Sequence, residues 1–390
     1  MRPASGAELG IFADMIQPPV YMDYNATTPC DQRVVEAMLP YFSGAFGNAA
    51  SHTHAFGWAA REAVRLAREQ IADLISAEPG EIVFTSGATE AINLGLKGAF
   101  AHYARKGNHI ITCQTEHKAV LDTCHSLEQQ GAEVTYLPVD ARGHFRLEDL
   151  QAAFRPGTIL VALMAANNET GLLHPLRAIH ALVRQQGCLF FCDATQAVGK
   201  IPVHVGQDGM DLMSFSAHKM YGPKGVGALY MRRKKPRARV RPQIEGGGHE
   251  NGFRSGTLNV PGIVGFGKAA ALCQEVLPAE EQQIAALRDS LEAALTPVAQ
   301  VNGDPTHRLP GVSNLTFARY PDDDLITQVT AKLAVSSGSA CTSARPEPSH
   351  VLAAMGRSKD EARKSLRISL GRFTTAEEVQ FASSFLQKLS

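Results

Sequence analysis

CLFFCDATQAVGK, residues 188–200, opens as an unbroken apolar run and turns polar at Asp193. A run this short, with no polar alternation, reads as a strand covered on both faces. Runs of the same kind recur along the chain: EIVFTS (81–86), HIITC (109–113), EVTYLP (133–138), TILVALM (158–164), DLMSFS (211–216) and VGALYM (226–231). Helical patterns such as TEAINLGLKGAFAHYARK, HKAVLDTCHSLEQQ and PLRAIHALVRQQ separate several of them. The alternation predicts an α/β fold with a mostly parallel central sheet covered by helices. Beyond about residue 260 a helical stretch leads to shorter strands, VSNLTF, LAVSSGS and LRISLG, and a final helix, which predicts a smaller α/β domain. The division read from this is a flexible extension over 1–20, a large domain over 21–260 and a small domain over 261–390. Residues 21–35 are expected to pack with the small domain.

Composition narrows the function classes. With 390 residues, 44% hydrophobic and 19% charged, the chain can bury a sizeable core. Lysine plus arginine equals aspartate plus glutamate, 38 each, so no net charge draws it to nucleic acid or a membrane surface. No run reaches the roughly 18 apolar residues of a membrane span. The opening residues carry Glu8 and Asp14 and no sustained apolar core, which argues against a signal or transit peptide and for the cytoplasm. Seven cysteines, an odd number, fit a reducing compartment. Cys188 and Cys192 share one side of a core strand and read as packing residues rather than a metal pair. Cys341 differs: SSGSACTSA (336–344) surrounds it with small, flexible residues, as a thiol meant to be reached would require.

Open parallel sheets gather ligands at the carboxyl ends of their strands. There the chain places TSGATE (85–90), a turn opening a helix and a natural phosphate site; His117; Asn167 and Asn168; Asp193 and Gln196; and Ser216, His218 and Lys219. Taken singly, each has a plainer reading: Asp193 a helix cap, His117 a rim histidine, Lys219 a solvated loop lysine. Together they match the needs of pyridoxal phosphate. A helix N-terminus takes the phosphate, a carboxylate pairs with the pyridine nitrogen, and a lysine forms the Schiff base. Nicotinamide and ATP fit worse, since no GxGxxG follows the first strand and GPKGVGAL lacks P-loop spacing.

The ordered motifs YMDYNATTP, GNAASHTHAFGW, IVFTSGATEAINL, TEHKAVLDTC, NNETG, DATQAVGK, DLMSFSAHKMYGPKGVGALY, GGGHENGFRSGT, AVSSGSACTSA and SLRISLGRFTT carry a resemblance to a known family. From about Tyr21 almost to the C-terminus the chain resembles cysteine desulfurases of the NifS/IscS type, which are class V, fold type I pyridoxal-phosphate enzymes. The resemblance implies removal of sulfur from L-cysteine, giving L-alanine and a persulfide on Cys341. Lys219 would hold the cofactor, Asp193 its pyridine nitrogen, and Gln196 and Asn168 its phenolic oxygen. His117 would stack on the ring and move protons. Ala88, Thr89, Ser216 and His218 would hold the phosphate, with Thr257 reaching it from a neighbouring subunit of a homodimer. Arg367, and Asn168 beside it, would bind the substrate.

An iron–sulfur scaffold protein or another thiolation partner would receive the sulfur. Cys341 could also share in ligating a cluster within such a complex, and no other metal site is implied. Family members carry a longer C-terminal tail for docking the scaffold, whereas this sequence stops at LQKLS, and Arg345-Pro346 makes its cysteine loop bulkier. The first leaves the acceptor open, and the second bears on the mobility of the loop. The basic string RRKKPRARVR (232–241) reads as a solvated edge more readily than a tRNA contact, and His52 and His54 as structural or channel residues. Transamination and selenocysteine cleavage are the nearest rival activities, although simple transamination needs no thiol. A scaffold that merely kept the fold could have lost Lys219, Asp193, His117 and Arg367.

Overall fold

A computed structural model describes residues 16–320, 325–337 and 348–389. After a two-residue strand β1 (Val20–Tyr21), the apolar runs form β2 (Ile82–Thr85), β3 (His109–Cys113), β4 (Glu133–Leu137), β5 (Thr158–Ala162), β6 (Leu189–Asp193), β7 (Leu212–Ser216) and β8 (Gly227–Met231). These seven join in the order β2-β8-β7-β6-β5-β3-β4. β8 runs antiparallel to both neighbours, and every other pairing is parallel.

Both faces of the sheet are covered. Phe190 and Cys192 of β6 share a core with α1 (Ala55–Leu74), through Ala60, Val64, Ala67 and Ile71. Leu189 and Phe191 face the other way, sharing a core with α2 (Ala88–Tyr103) and α3 (Lys118–Glu128). α4 (Leu176–Gln186) adds Ile179 and Val183 to the first of these cores. Strict alternation between two apolar layers is why these strands read as continuous apolar runs.

One long helix, α5 (Val260–Leu295), links this sheet to the rest of the chain. Its first half places Ile263, Phe266, Ala270 and Cys273 in the core shared with α1. Its last turns place Leu291 and Leu295 in a separate core with β10 (Val312–Thr316), β12 (Ser365–Ser369) and α6 (Ala376–Leu389). By length and composition α5 could cross a membrane, but these apolar side chains are covered by the protein's own core. β9 (Gln300–Val301), β10 and β12 make a small antiparallel sheet.

LAVSSGS behaves differently from its neighbours. Among its described residues, Leu333–Ala334 is extended, as β11, and pairs in parallel with β1, while the small sheet is reached by a single bridge from Ser336 to Arg367 of β12. The N-terminal segment supplies the missing partner: Val20 N–H donates to Lys332 O and Met22 N–H to Ala334 O, both at 2.9 Å. Val20 and Met22 then sit buried in the core beside Leu333 and Ile368. The chain therefore crosses from the small core directly into Asp23–Thr28.

The α1–α5 crossing is tight enough to require glycine. A methyl group added at Gly267 would lie 2.5 Å from Ala67 Cα, a contact that only separation of the helices could relieve. Gly267→Ala is expected to lower stability by about 1–3 kcal/mol, the usual cost of overpacking. Denaturant unfolding checks this, and an unchanged midpoint would contradict the packing described.

Candidate active site

The carboxyl ends of the parallel strands open into a cleft of about 1300 Å³. Ala88, Thr89, His117, Asn168, Asp193, Gln196, Ser216, His218, Lys219 and Arg367 all line it. Thr257 does not: it is exposed and contributes nothing to the cleft of its own chain. Cys341, with Arg345 and Pro346, lies outside the described residues.

Each strand end contributes one group. After β2, Gly87 caps α2 with no side-chain hydrogen bond, so the first N–H groups of a 16-residue helix face the cleft uncapped. A Cβ at Gly227 would meet Gly87 Cα at 2.7 Å, so the turn is pressed against β8 and only glycine fits there. Ser216 ends β7 beside this turn and donates to Val226 O at 3.3 Å. Uncapped amides at a positive dipole end, next to a hydroxyl, suit a phosphate.

Asp193 ends β6 and is buried. Its Oδ1 accepts from Thr195 N–H (3.0 Å), Thr195 Oγ and Ser214 Oγ (3.3 Å), which leaves Oδ2 for the cleft. His117 caps α3, its Nδ1 accepting from Ala119 N–H at 3.1 Å, so in the neutral ring the proton sits on Nε2. The ring opens to the cleft yet is walled by protein, and that desolvation is the first cause lowering its pKa; Asp193 opposes it. His218 is held to about 4, chiefly by burial and then by the Lys219 charge, and its Nδ1 lies 3.1 Å from Thr27 Oγ.

Lys219 follows β7 in a short turn, and its Nζ donates to Asn25 O (2.5 Å) and Ala26 O (2.8 Å). Burial first, and then the Arg367 charge, lower its pKa to about 8 against the pull of Asp23 and Asp193. Arg367 comes from β12, its Nη2 pairing with Asp23 at 2.7 Å and its Nη1 donating to Asn168 O at 3.0 Å.

The two adjacent asparagines divide their tasks. Asn167 turns inward, donating to Thr115 O and accepting from the Glu169 and Thr170 N–H groups. Asn168 lines the cleft and leaves its buried Oδ1 without a partner. An uncapped helix end, a free carboxylate oxygen and a lysine that loses its charge near pH 8 are a set that pyridoxal 5'-phosphate satisfies.

Other motifs prove structural. His54 caps α1 by accepting from Gly57 N–H at 3.2 Å, and His52 O accepts from Trp58 Nε1. In the basic string, Ala238 and Val240 are buried against the large core, Arg232 pairs with Asp211, and Arg233 N–H donates to Glu81 at 2.7 Å.

Sequence reading assigned no role to Asn25, Asp23, Lys200 or His350, all close to this chemistry. Asn25 O accepts from both Lys219 and Gln196, and Thr28 binds His218 O through its N–H and its hydroxyl. The available signal was the polar run DYNATT directly after an apolar VYM.

The family described as Aminotransferase class-V matches residues 20–381. The chain is 58% identical to "Cysteine desulfurase IscS" of Anaeromyxobacter sp. (strain Fw109-5), covering 93% of this chain and 90% of that protein. It is 51% identical to the protein of the same name from Escherichia coli (strain K12 / DH10B), over 95% and 92%. Among solved structures it resembles one titled "NIFS-LIKE PROTEIN", with TM-score 0.87 and 38% identity over 95% of this chain and 98% of that one. It also resembles "SspA in complex with cysteine", with TM-score 0.81 and 38% identity over 91% and 100%.

Lys219 is accordingly expected to become nucleophilic well below the ordinary lysine range. In cofactor-free protein, the rate at which Lys219 reacts with an aldehyde probe should rise through a midpoint near pH 8. Arg367→Gln removes a nearby cation and unpairs Asp23, so the midpoint should move up. A midpoint unmoved by that substitution would contradict the electrostatics.

Proposed function

This chain belongs to the class V aminotransferase family and is a pyridoxal-phosphate-dependent cysteine desulfurase, and on that premise we propose which of its residues carry each task. The observation that supports the assignment best is the convergence of Lys219, Asp193, His117 and Arg367 on one cleft from four separate parts of the chain.

Ala88, Thr89, Ser216 and His218 would hold the cofactor's phosphate, Asp193 Oδ2 its pyridine nitrogen, Asn168 and Gln196 its phenolic oxygen, and His117 its ring face. Bound there, pyridoxal phosphate supplies an electron sink that weakens the Cα–H and Cβ–S bonds of cysteine. Arg367, steadied by Asp23, receives the substrate carboxylate. Lys219, whose amine burial and the Arg367 charge make easier to deprotonate, takes the Cα proton. His117 exchanges the thiol proton through Nε2.

Cys341 attacks the substrate sulfur as thiolate. The new S–S bond forms as Cβ–S breaks, and the released electron pair stays on carbon, where a proton completes alanine. Cys341 is left as a persulfide. The loop that bears it is rich in Gly, Ser and Ala, which suits a sulfur that must travel to an acceptor.

The chain works as a homodimer in this reading. Leu39, Phe42, Phe46, Phe56 and Trp58 are exposed large apolar side chains on one stretch, with the Phe46 and Phe56 rings 5.3 Å apart. A face of this kind favours a protein partner. Thr257, exposed on its own chain, would complete the neighbour's phosphate site. The sulfur acceptor is an iron–sulfur scaffold or another thiolation partner, and the compartment is the reducing cytoplasm, which the odd cysteine count supports.

Two outcomes are expected. Cys341→Ser should abolish persulfide and alanine turnover while the visible cofactor absorbance stays at its wild-type level; retained sulfide release would remove Cys341 from the mechanism. Phe42→Asp with Phe46→Asp should convert a dimer to a monomer by light scattering, and a wild-type protein already monomeric would contradict the shared-site reading.

A further inference from the structure

Lys200 ends the DATQAVGK turn and has no task in the chemistry above. Its Nζ donates to Asn25 Oδ1 at 2.8 Å and to Gln196 Oε1 at 2.5 Å. Burial is the first cause that lowers its pKa, well below the ordinary lysine value, and the charges of Lys219 and Arg367 act in the same direction. A lysine amine enclosed between two amide oxygens, both on side chains that line the cleft, is costly to keep unless the bonds accomplish something.

What they accomplish follows from the direction of each bond. An amide side chain has a donor end and an acceptor end that are nearly equal in shape. Gln196 Nε2 donates to Asn25 O at 3.0 Å, while Oε1 is taken by Lys200. Rotating this amide by half a turn would set its oxygen against the Asn25 carbonyl, losing that hydrogen bond and facing one acceptor with another, so the amide has one orientation. Its second N–H is thereby left for the cleft. Asn25 is fixed likewise: Oδ1 meets Lys200, Nδ2 donates to Asn168 O at 3.0 Å, and its backbone oxygen receives Lys219.

We propose that Lys200 is a positioning residue for the cofactor, acting through Gln196 and Asn25: it holds the Gln196 amide with its N–H toward the cofactor's phenolic oxygen. The inference rests on the reading that pyridoxal phosphate occupies this cleft. A donor on the phenolic oxygen stabilises its anionic form and makes the adjoining lysine–cofactor nitrogen easier to deprotonate. Losing that donor raises the pH at which the cofactor's visible absorbance changes.

The test uses the full-length protein loaded with pyridoxal phosphate, in wild-type form and as Lys200→Met, Lys200→Arg, Gln196→Leu and Lys200→Met with Gln196→Leu. Two quantities are read: the pH midpoint of the visible absorbance, and the affinity of the cofactor-free protein for pyridoxal phosphate. Lys200→Met is expected to raise the midpoint and to weaken cofactor binding about tenfold, the scale of one lost hydrogen bond to a charged group. Gln196→Leu should reproduce both changes, and adding Lys200→Met to it should add nothing.

Lys200→Arg keeps a donor and should stay near wild type. If Lys200→Met does not fold, Lys200→Arg carries the test alone, and a midpoint displaced as far as in Gln196→Leu overturns the proposal. A Lys200→Met protein that is merely less stable, with midpoint and affinity unmoved, overturns it. So do independent effects that sum in the double variant. A wild-type protein that takes up no pyridoxal phosphate would instead strike down the cofactor reading, and the role of Lys200 with it.

Discussion

Burial of the central strands on both faces is the constraint from which the rest of this structure follows. Phe190 and Cys192 of one strand enter one core and Leu189 and Phe191 the other, and a polar side chain inside the central strands, such as Ser214 or Thr112, is hydrogen-bonded within the protein. A polar group left open to water or a ligand can be accepted only where the strand stops. Parallel pairing puts most of those stops on the same rim. Asp193, Ser216 and the Gly87 turn are thus neighbours because of strand geometry, although they are far apart in sequence. The same burial makes charge expensive at the rim, which lowers the pKa of Lys219, His117 and His218.

A second device closes the cleft from the small core. β1 pairs with β11, and the chain then runs through Asp23–Thr28 across the floor of the site. Asp23 pairs with Arg367, Asn25 with Lys219, Lys200 and Gln196, and Thr28 with His218. The groups proposed to bind substrate and cofactor are therefore tied to one short segment. Any shift of the small core relative to the sheet is transmitted to the Lys219 amine through the Asn25 carbonyl. The long helix Val260–Leu295, shared by both cores, resists such a shift.

What could be read from the sequence divides along the same line. Apolar runs bounded by turns marked the seven strands of the main sheet within a residue or two, because a strand covered on both faces leaves a local signature. The groups following those runs, from Ala88 to Lys219, meet in one cleft for the same reason. Pairings that depend on distant chain segments left no such mark. Nothing local in LAVSSGS says that its partner is Val20–Tyr21, and nothing in DYNATT says that its carbonyls receive a lysine 194 residues away. Lys200 left no such mark either, since one of its two acceptors belongs to the distant Asn25. Thr257 does not line the cleft of its own chain, so the role proposed for it would need a second copy of the chain.

The central claim is that the amine of Lys219, and no other, holds the cofactor in this cleft. Lys118, Lys224 and Lys200 also lie at or beside it, so the claim has real competitors. The most direct measurement is borohydride reduction of the pyridoxal-phosphate-loaded protein, followed by peptide mass mapping. The account predicts one phosphopyridoxyl adduct, on the peptide carrying Lys219. An adduct on Lys200, Lys118 or Lys224 with Lys219 unmodified would contradict it.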